Sequence, residues 1–353
     1  MPSGRARAVE ETSAIVRGRS SMREVAEMAG VAMSSVSRVL SGHPDVSPAM
    51  RRRVMEAVDR LGYEPDLLAQ SLRRKATRSV GFVVGDISNP LLAEITLGAE
   101  TTLRAAGYSM LLTNSENDPA LDAGHVRLLI QRRVDGLMLS LASEDHDDTV
   151  ALLARLDEPI VLIDRDLPRE VRASAVLSDH RSGMRAAVRH LLELGHRRIG
   201  LILGQPMRFS RERRLGLEEA YRERALEPTY QTLEGELGSA HGRSATARLL
   251  ESPEPPTAIV AGGNQILVGT LEELLRRDLR VGSDISVVSC DAISITELFT
   301  PPIAVVRRDN RELGRRAAQL LLRHLEGDDM RQEVVLPTEF VPRASCAPPA
   351  ERS

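Results

Sequence analysis

The chain has 353 residues, enough for two or three domains with sizeable cores, and a formal net charge of −3. Only Cys290 and Cys346 are present, which excludes a disulfide framework and a cysteine-based metal site. No apolar run approaches the length of a membrane span and the N-terminus lacks a signal-peptide core, so a cytoplasmic protein with no membrane partner is expected. The charge is unevenly spread. Residues 1–78 carry 14 Lys/Arg against 9 Asp/Glu, and the remaining 275 carry 33 against 41. A basic head on an acidic body confines a nucleic-acid footprint to the head.

Residues 1–19 contain Arg5, Arg7, Arg17 and Arg19 without periodicity, and read as a disordered arm. Such an arm either adds phosphate attraction or is a plain tail. The segment 22–42, MREVAEMAGVAMSSVSRVLSG, predicts two short helices joined by a tight turn. Ser21 and Glu24 form a capping box ahead of the first helix, Met22–Ala29. Val25 and Ala29 share a face with Met28 beside it, and Gly30 supplies the left-handed end. The second helix runs from about Ala32 to Leu40. Val36 and Val39 form its inner stripe, leaving Met33, Ser34, Ser35, Ser37 and Arg38 largely outside. A short helix with small polar groups and one arginine on its outer face suits the DNA major groove. An ordinary helical hairpin is the competing interpretation.

Ser47 and Pro48 open a third helix as N-cap and first residue. Val54, Val58 and Leu61 close a three-helix core with Val25, Val36 and Val39. Arg51, Arg52 and Arg53 crowd the positive end of this helix, which suits a phosphate partner or else a solvated face. A helix-compatible stretch, Asp66–Leu72, then precedes the basic residues Arg73, Arg74, Lys75 and Arg78.

From Val80 onward, apolar strand-length runs alternate with helical stretches. The first series is 80–85, 108–113, 134–140, 159–164 and 174–179, with helices around 91–106, 120–132, 148–156 and 182–194. A second series follows at 198–203, 229–234, 257–262, 285–290 and 303–309. Near-continuous apolar strands between helices imply two parallel α/β sheets covered on both faces. Ligands bind such sheets beyond the carboxyl ends of their strands. Asp86, Ser88 and Asn89 stand there after the first strand, and Asp164 and Arg165 after the fourth. Arg208, Arg211 and Arg213 follow LILG, Gly263, Asn264 and Gln265 follow TAIVA, and Asp291 follows VVSC.

The order helix-turn-helix, third helix, LGYEPD and LLAQSL before a strand resembles the lactose-repressor (LacI) family of bacterial transcription regulators, over nearly the whole chain after about residue 20. The motif REVAEMAGV…VSRVLSG…VS…RRRV…A…LGYEPD carries the resemblance. It implies an all-α helix-turn-helix head (20–64), a hinge helix and linker (65–78), and a periplasmic-binding-protein-like body of two doubly wound subdomains (79–345). Three crossovers would give one subdomain about 79–176 plus 307–334, and the other about 177–306 plus 335–345. Residues 346–353 would be a tail. The implied protein is a repressor, a homodimer on double-stranded DNA with a pseudo-palindromic operator, switched by a small-molecule effector between the subdomains.

By resemblance, Met33, Ser34 and Arg38 face base edges, with Ser35, Ser37, Ser47 and Arg51 beside them on the DNA face. Arg38 can form a bidentate contact to guanine, worth about 1–3 kcal/mol of discrimination. Ala32 replaces a common serine and removes a cap. Leu72 matches the family's minor-groove wedge, Ala69 allows close packing of two hinge helices, and Asp66 stands where asparagine is usual. In the body, Arg213 and Asp291 match the family's main polar effector contacts, with Asp86, Asn89, Asp164 and Asn264 completing the candidate set. The competing role for Arg213 is a salt bridge to Glu212 or Glu218, and for Asp291 a cap on the next segment.

Three departures bear on the effector. Gly263-Asn264 stands where many relatives have Asn-Asp. Leu91 and Leu92 replace aromatics after Asn-Pro, and Leu237 replaces another. Fewer aromatic faces and several arginines favour an acidic effector, a sugar acid or sugar phosphate, over a neutral sugar or nucleoside. The tail lacks leucine heptads, which favours a dimer over a tetramer. No G-x-G-x-x-G opens a helix after the first strand, no P-loop occurs, and no nucleophile–base set has motif spacing, so an enzyme is not expected and no cofactor is implied. Cys290 is a strand-end nucleophile or, as its setting favours, a small buried hydrophobe.

Overall fold

The computed structural model of the chain describes residues 20–63 and 76–350. The expected arm, and Ala69 and Leu72 of the expected hinge, lie outside the described residues. The chain divides into one unit up to Thr77 and another from Arg78 onward.

In the first unit, α1 (Met22–Ala29), α2 (Met33–Leu40) and α3 (Pro48–Leu61) pack on one small core. The capping box forms: Ser21 accepts from the Glu24 amide at 3.3 Å and Glu24 accepts from the Ser21 amide at 2.6 Å. Gly30 takes φ +64°, so its amide and that of Val31 close back on Glu27 and Ala26. Val25, Val36, Val39 and Val54 are buried, with Ala26, Ala29, Ala57 and Tyr63. Val58 and Leu61 only flank this core, and Met28 is 49% exposed rather than part of it. Tyr63 seals the end where the sequence pattern placed no core residue.

The second unit holds two six-stranded sheets. The first has β1 (Ser79–Val84), β2 (Ser109–Asn114), β3 (Gly136–Ser140), β4 (Ile160–Ile163), β5 (Ala173–Ser178) and β11 (Glu333–Leu336), in the order β11-β5-β4-β3-β1-β2, all parallel. The second has β6 (Ile199–Leu203), β7 (Gln231–Glu234), β8 (Ala258–Ala261), β9 (Ser286–Ser289), β10 (Ala304–Arg307) and β12 (Glu339–Val341). Its order is β12-β10-β9-β8-β6-β7, with only β12 antiparallel. The central strands are buried on both faces because helices cover both sides. In the first lobe these are α4 (Pro90–Ala105) and α12 (Asn310–Leu325) on one face, and α5 (Pro119–Gln131) and α6 (Asp147–Leu153) on the other. In the second they are α7 (His180–Glu193) and α8 (Arg208–Glu223), and α9 (Ser239–Leu250) and α10 (Asn264–Arg276). A short α11 (Ser294–Leu298) precedes β10.

The lobes exchange chain. β5 runs to Ser178, two residues past the expected boundary, and the returning segment continues to Leu336 before β12 joins the other sheet. Paired helices touch through glycine. A Cβ on Gly314 would lie 1.9 Å from the Ile95 carbonyl oxygen, and one on Gly269 would lie 1.9 Å from that of Ser239. Such approach leaves no room for a side chain. Each fully buried aliphatic side chain in these layers contributes about 1.5–3 kcal/mol.

Candidate functional site

The outer face of α2 is open. Met33 is 48% exposed, Ser34 and Arg38 are exposed, and Ser35 and Ser37 are half-buried. Ala32, the N-cap residue, makes no side-chain cap bond. Ser47 is exposed and caps α3 by accepting from the Met50 amide at 3.3 Å. Arg51 is exposed, with one bond to the His43 carbonyl at 3.4 Å. The helix-turn-helix thus presents its small polar groups and one arginine outward, on a scaffold fixed by valines.

In the body, each sheet has a switch point where successive strands leave on opposite sides, between β1 and β3 and between β6 and β8. A cleft opens at these carboxyl ends, as expected for such sheets. All six expected effector residues, Asp86, Asn89, Asp164, Arg213, Asn264 and Asp291, line it. So do Arg165, which the strand-end rule also placed there, and Phe209 and Arg308, which the sequence pattern did not single out as cleft residues. Arg308 ends the last strand of the second series, so the strand-end rule could have found it. Phe209 sits between the flagged Arg208 and Arg211, hidden because one aromatic has no periodicity.

Arg213 does not pair with Glu212 or Glu218. Its guanidinium donates to the Gly262 carbonyl at 2.8 Å and lies 3.7 Å from Asp291 Oδ1. Arg308 lies 3.5 Å from the same oxygen. Asp291 Oδ2 accepts from the Asn264 amide at 3.2 Å, so Asp291 holds the start of the preceding α10, besides facing the arginines, and does not cap the helix that follows it. Asp291 Oδ1 and Arg308 Nε are both buried without a hydrogen-bond partner. Phe209 faces two guanidiniums, with Arg165 at 5.5 Å and Arg213 at 5.3 Å from its ring centre.

Asp164 is a tie between crossovers. It takes φ +50°, a strained value for a side-chain-bearing residue. It accepts from the Ser178 amide at 2.6 Å and the Ser178 hydroxyl at 2.9 Å, and pairs with Arg308. Burial opposes its ionisation, yet His180, Arg308 and the Ser178 donors hold it well below the usual carboxylate range. Burial, with Arg213 and Arg308 nearby, pushes His180 down to about 4. Cys290 is 3% exposed in the core and burial pushes its thiol up to about 11, the setting of a small buried hydrophobe.

Asn89 and Asn264 meet across the cleft through two amide bonds of 2.9 and 3.4 Å. Gln265 donates to Asp86 at 3.0 Å on the same lip. The Asn264 amide, next to the side-chain-free Gly263, thus joins the lobes. At Gly263 an added Cβ would meet Leu237 at 3.4 Å. Among the described residues no cluster could hold a metal ion, and no helix is long and apolar enough to cross a membrane.

Residues 21–66 match the model of the bacterial regulatory proteins of the lacI family, and residues 188–346 match a periplasmic binding protein-like domain. The HTH-type transcriptional repressor PurR of Aliivibrio fischeri strain MJ11 is 31% identical over 331 residues, covering 92% of this chain and 97% of that protein. The chain belongs to the LacI family. Within that family, the structure of the lac repressor dimer bound to operator and the anti-inducer ONPF is 26% identical, with a TM-score of 0.82. It covers 93% of this chain and 99% of that one. A LacI family transcriptional regulator from Enterococcus faecium with bound ribose is 26% identical, with a TM-score of 0.69, covering 77% of this chain and all of that one. This LacI-family protein is a transcriptional repressor with an effector-binding domain, and its relatives are transcriptional regulators rather than enzymes.

Proposed function

We propose that the protein binds a pseudo-palindromic operator as a homodimer and releases or retains it according to a small, neutral, polyhydroxylated effector of the sugar class. The observation that carries the effector class is the pair of buried orphan atoms, Asp291 Oδ1 and Arg308 Nε. One accepts and the other donates, and a single hydroxyl group can serve both. The cleft arginines Arg213 and Arg308 are already paired with Asp291 and Asp164, and Arg165 is held by the Leu141 and Asp164 carbonyls, so an added carboxylate or phosphate would compete with existing partners. That balance weighs against the acidic effector favoured by composition. Met33, Ser34 and Arg38 read base edges, with Ser35, Ser37, Ser47 and Arg51 placing the helix on the backbone. Edge strand β2, with Leu111 37% and Leu112 39% exposed, supports a second copy docking on the first lobe.

A nucleobase effector is the second reading, favoured by the likeness to PurR repressors. Against it, Phe209, the aromatic ring lining the cleft among the described residues, is already faced by two guanidiniums. A thermal-shift titration with D-ribose, gluconate, glucose 6-phosphate and guanine separates these readings. A saturable shift with the neutral sugar, absent in Arg213→Ala while that variant still binds operator, is expected. A shift confined to the acids or to guanine would overturn the neutral-sugar reading, and an Arg213→Ala chain that still responds would overturn the site.

A further inference from the structure

Glu144 belongs to the loop after β3 in the first lobe, and only 9% of it is exposed. Its carboxylate reaches across to the other lobe. Both oxygens accept from the Arg208 backbone amide at 3.0 Å, and Oε2 also accepts from Arg211 Nη1 at 2.6 Å. Arg208 is the first residue of α8, whose N-cap residue Met207 makes no side-chain cap bond. The first turn of a helix leaves amides without partners and carries partial positive charge, so a carboxylate there is favoured. One lobe thus supplies the cap for a helix of the other, and that helix carries Arg213. Asp166, also of the first lobe, reinforces the contact. It binds Arg211 Nη2 at 2.8 Å and lies 3.5 Å from Arg208 Nε, while its own amide donates to Glu144 at 3.0 Å. The Glu144 and Asp166 bonds to Arg208 and Arg211 all join the lobes, so opening the cleft breaks them together.

We propose that Glu144 is a positioning residue for the effector response: it latches the lobes shut and sets α8, and with it Arg213, before any effector arrives. Its importance for the response rests on the reading of the cleft as the effector site; the latch itself does not. An effector meeting a closed, preformed cleft binds more tightly by the fraction of molecules already closed.

The test uses the full chain without effector or DNA. Arg127→Cys and Arg248→Cys, one exposed position on each lobe, carry a donor–acceptor dye pair, with Cys346→Ser throughout. Labelled chain is mixed with excess unlabelled chain, so an assembly carries one pair, and single-molecule energy transfer reports the distance between lobes. The parent should give one short-distance population. Glu144→Ala should raise the open-to-closed ratio about tenfold or more, as expected for losing charge-assisted bonds. Glu144→Gln, which keeps an acceptor without the charge, should fall between. Arg211→Ala, at a half-exposed position that tolerates truncation, should open the cleft in the same direction and stands in should Glu144→Ala fail to fold. An unchanged distance distribution in Glu144→Ala, or in Arg211→Ala when the first does not fold, overturns the latch. A chain that opens in these variants yet answers no sugar, acid or nucleobase overturns the effector reading and leaves the latch standing.

Discussion

In the head, Met33, Ser34 and Arg38 stand on one exposed face of an eight-residue helix, held by valines a few positions away. In the body, Asp86, Asp164, Asp291 and Arg308 come from strand ends dispersed along the chain and Arg213 from α8, and most are buried. The head's chemistry is therefore local and solvated, and its residues need no partners. The body's chemistry is long-range and dry, and each charge must be matched by another, because an unpaired buried charge costs far more than a missing surface contact.

The largest expected break in this contrast is Gly314→Leu. The side chain has no space beside the Ile95 carbonyl, and overpacking there should cost the body about 3 kcal/mol or more. Denaturant unfolding should register a lowered midpoint. A head residue of similar size, Arg38→Ala, should leave that midpoint where it is.

Next in size is a pH effect confined to the body. The unfolded chain takes up a proton at His180 near pH 6.5, whereas the folded body does so only near pH 4. Stability is therefore full above pH 6.5 and falls as pH drops through that window, by no more than about 3 kcal/mol. Unfolding midpoints measured from pH 7 to pH 4 should decline, and His180→Gln should flatten the decline. An equally steep decline in that variant would assign the effect to other groups.

Arg38→Ala should weaken specific operator binding by about 1–3 kcal/mol, with little change in binding to unrelated duplexes. Equal losses on both, in titrations at fixed salt, would make Arg38 a phosphate contact instead. The smallest effect sharpens the comparison within the head itself. Ala32→Ser should restore a cap to α2 and stabilise the head by about 1 kcal/mol, read as a raised melting temperature.

The head was legible because its signals are short-range. A capping box, a left-handed glycine and a valine stripe each act within one turn of helix, and all three appear where the residues placed them. Tyr63 escaped because its burial depends on folding back over α3 rather than on periodicity. In the body, the strand-end rule brought Asp86, Asn89, Asp164, Arg213, Asn264 and Asp291 to one cleft. It could not tell that Asp164 is already engaged by Ser178 and Arg308, since those partners are distant in sequence. Glu144 gave no signal at all. An acidic residue in a loop reads as solvated until the opposite lobe is in place to bury it.

The exchange of β5, β11, β10 and β12 between sheets has a consequence for anyone recombining such genes. No single cut in the coding sequence yields a contiguous fragment that carries one whole lobe, because β11 and α12 return to the first sheet after the second is nearly complete. A chimera that borrows a lobe from a relative must therefore transplant several separate stretches of codons with their crossovers. A single-breakpoint hybrid would mismatch the α4–α12 glycine contact, where a Cβ on Gly98 or Gly314 would lie only 2.2 or 1.9 Å from a carbonyl oxygen of the opposing helix.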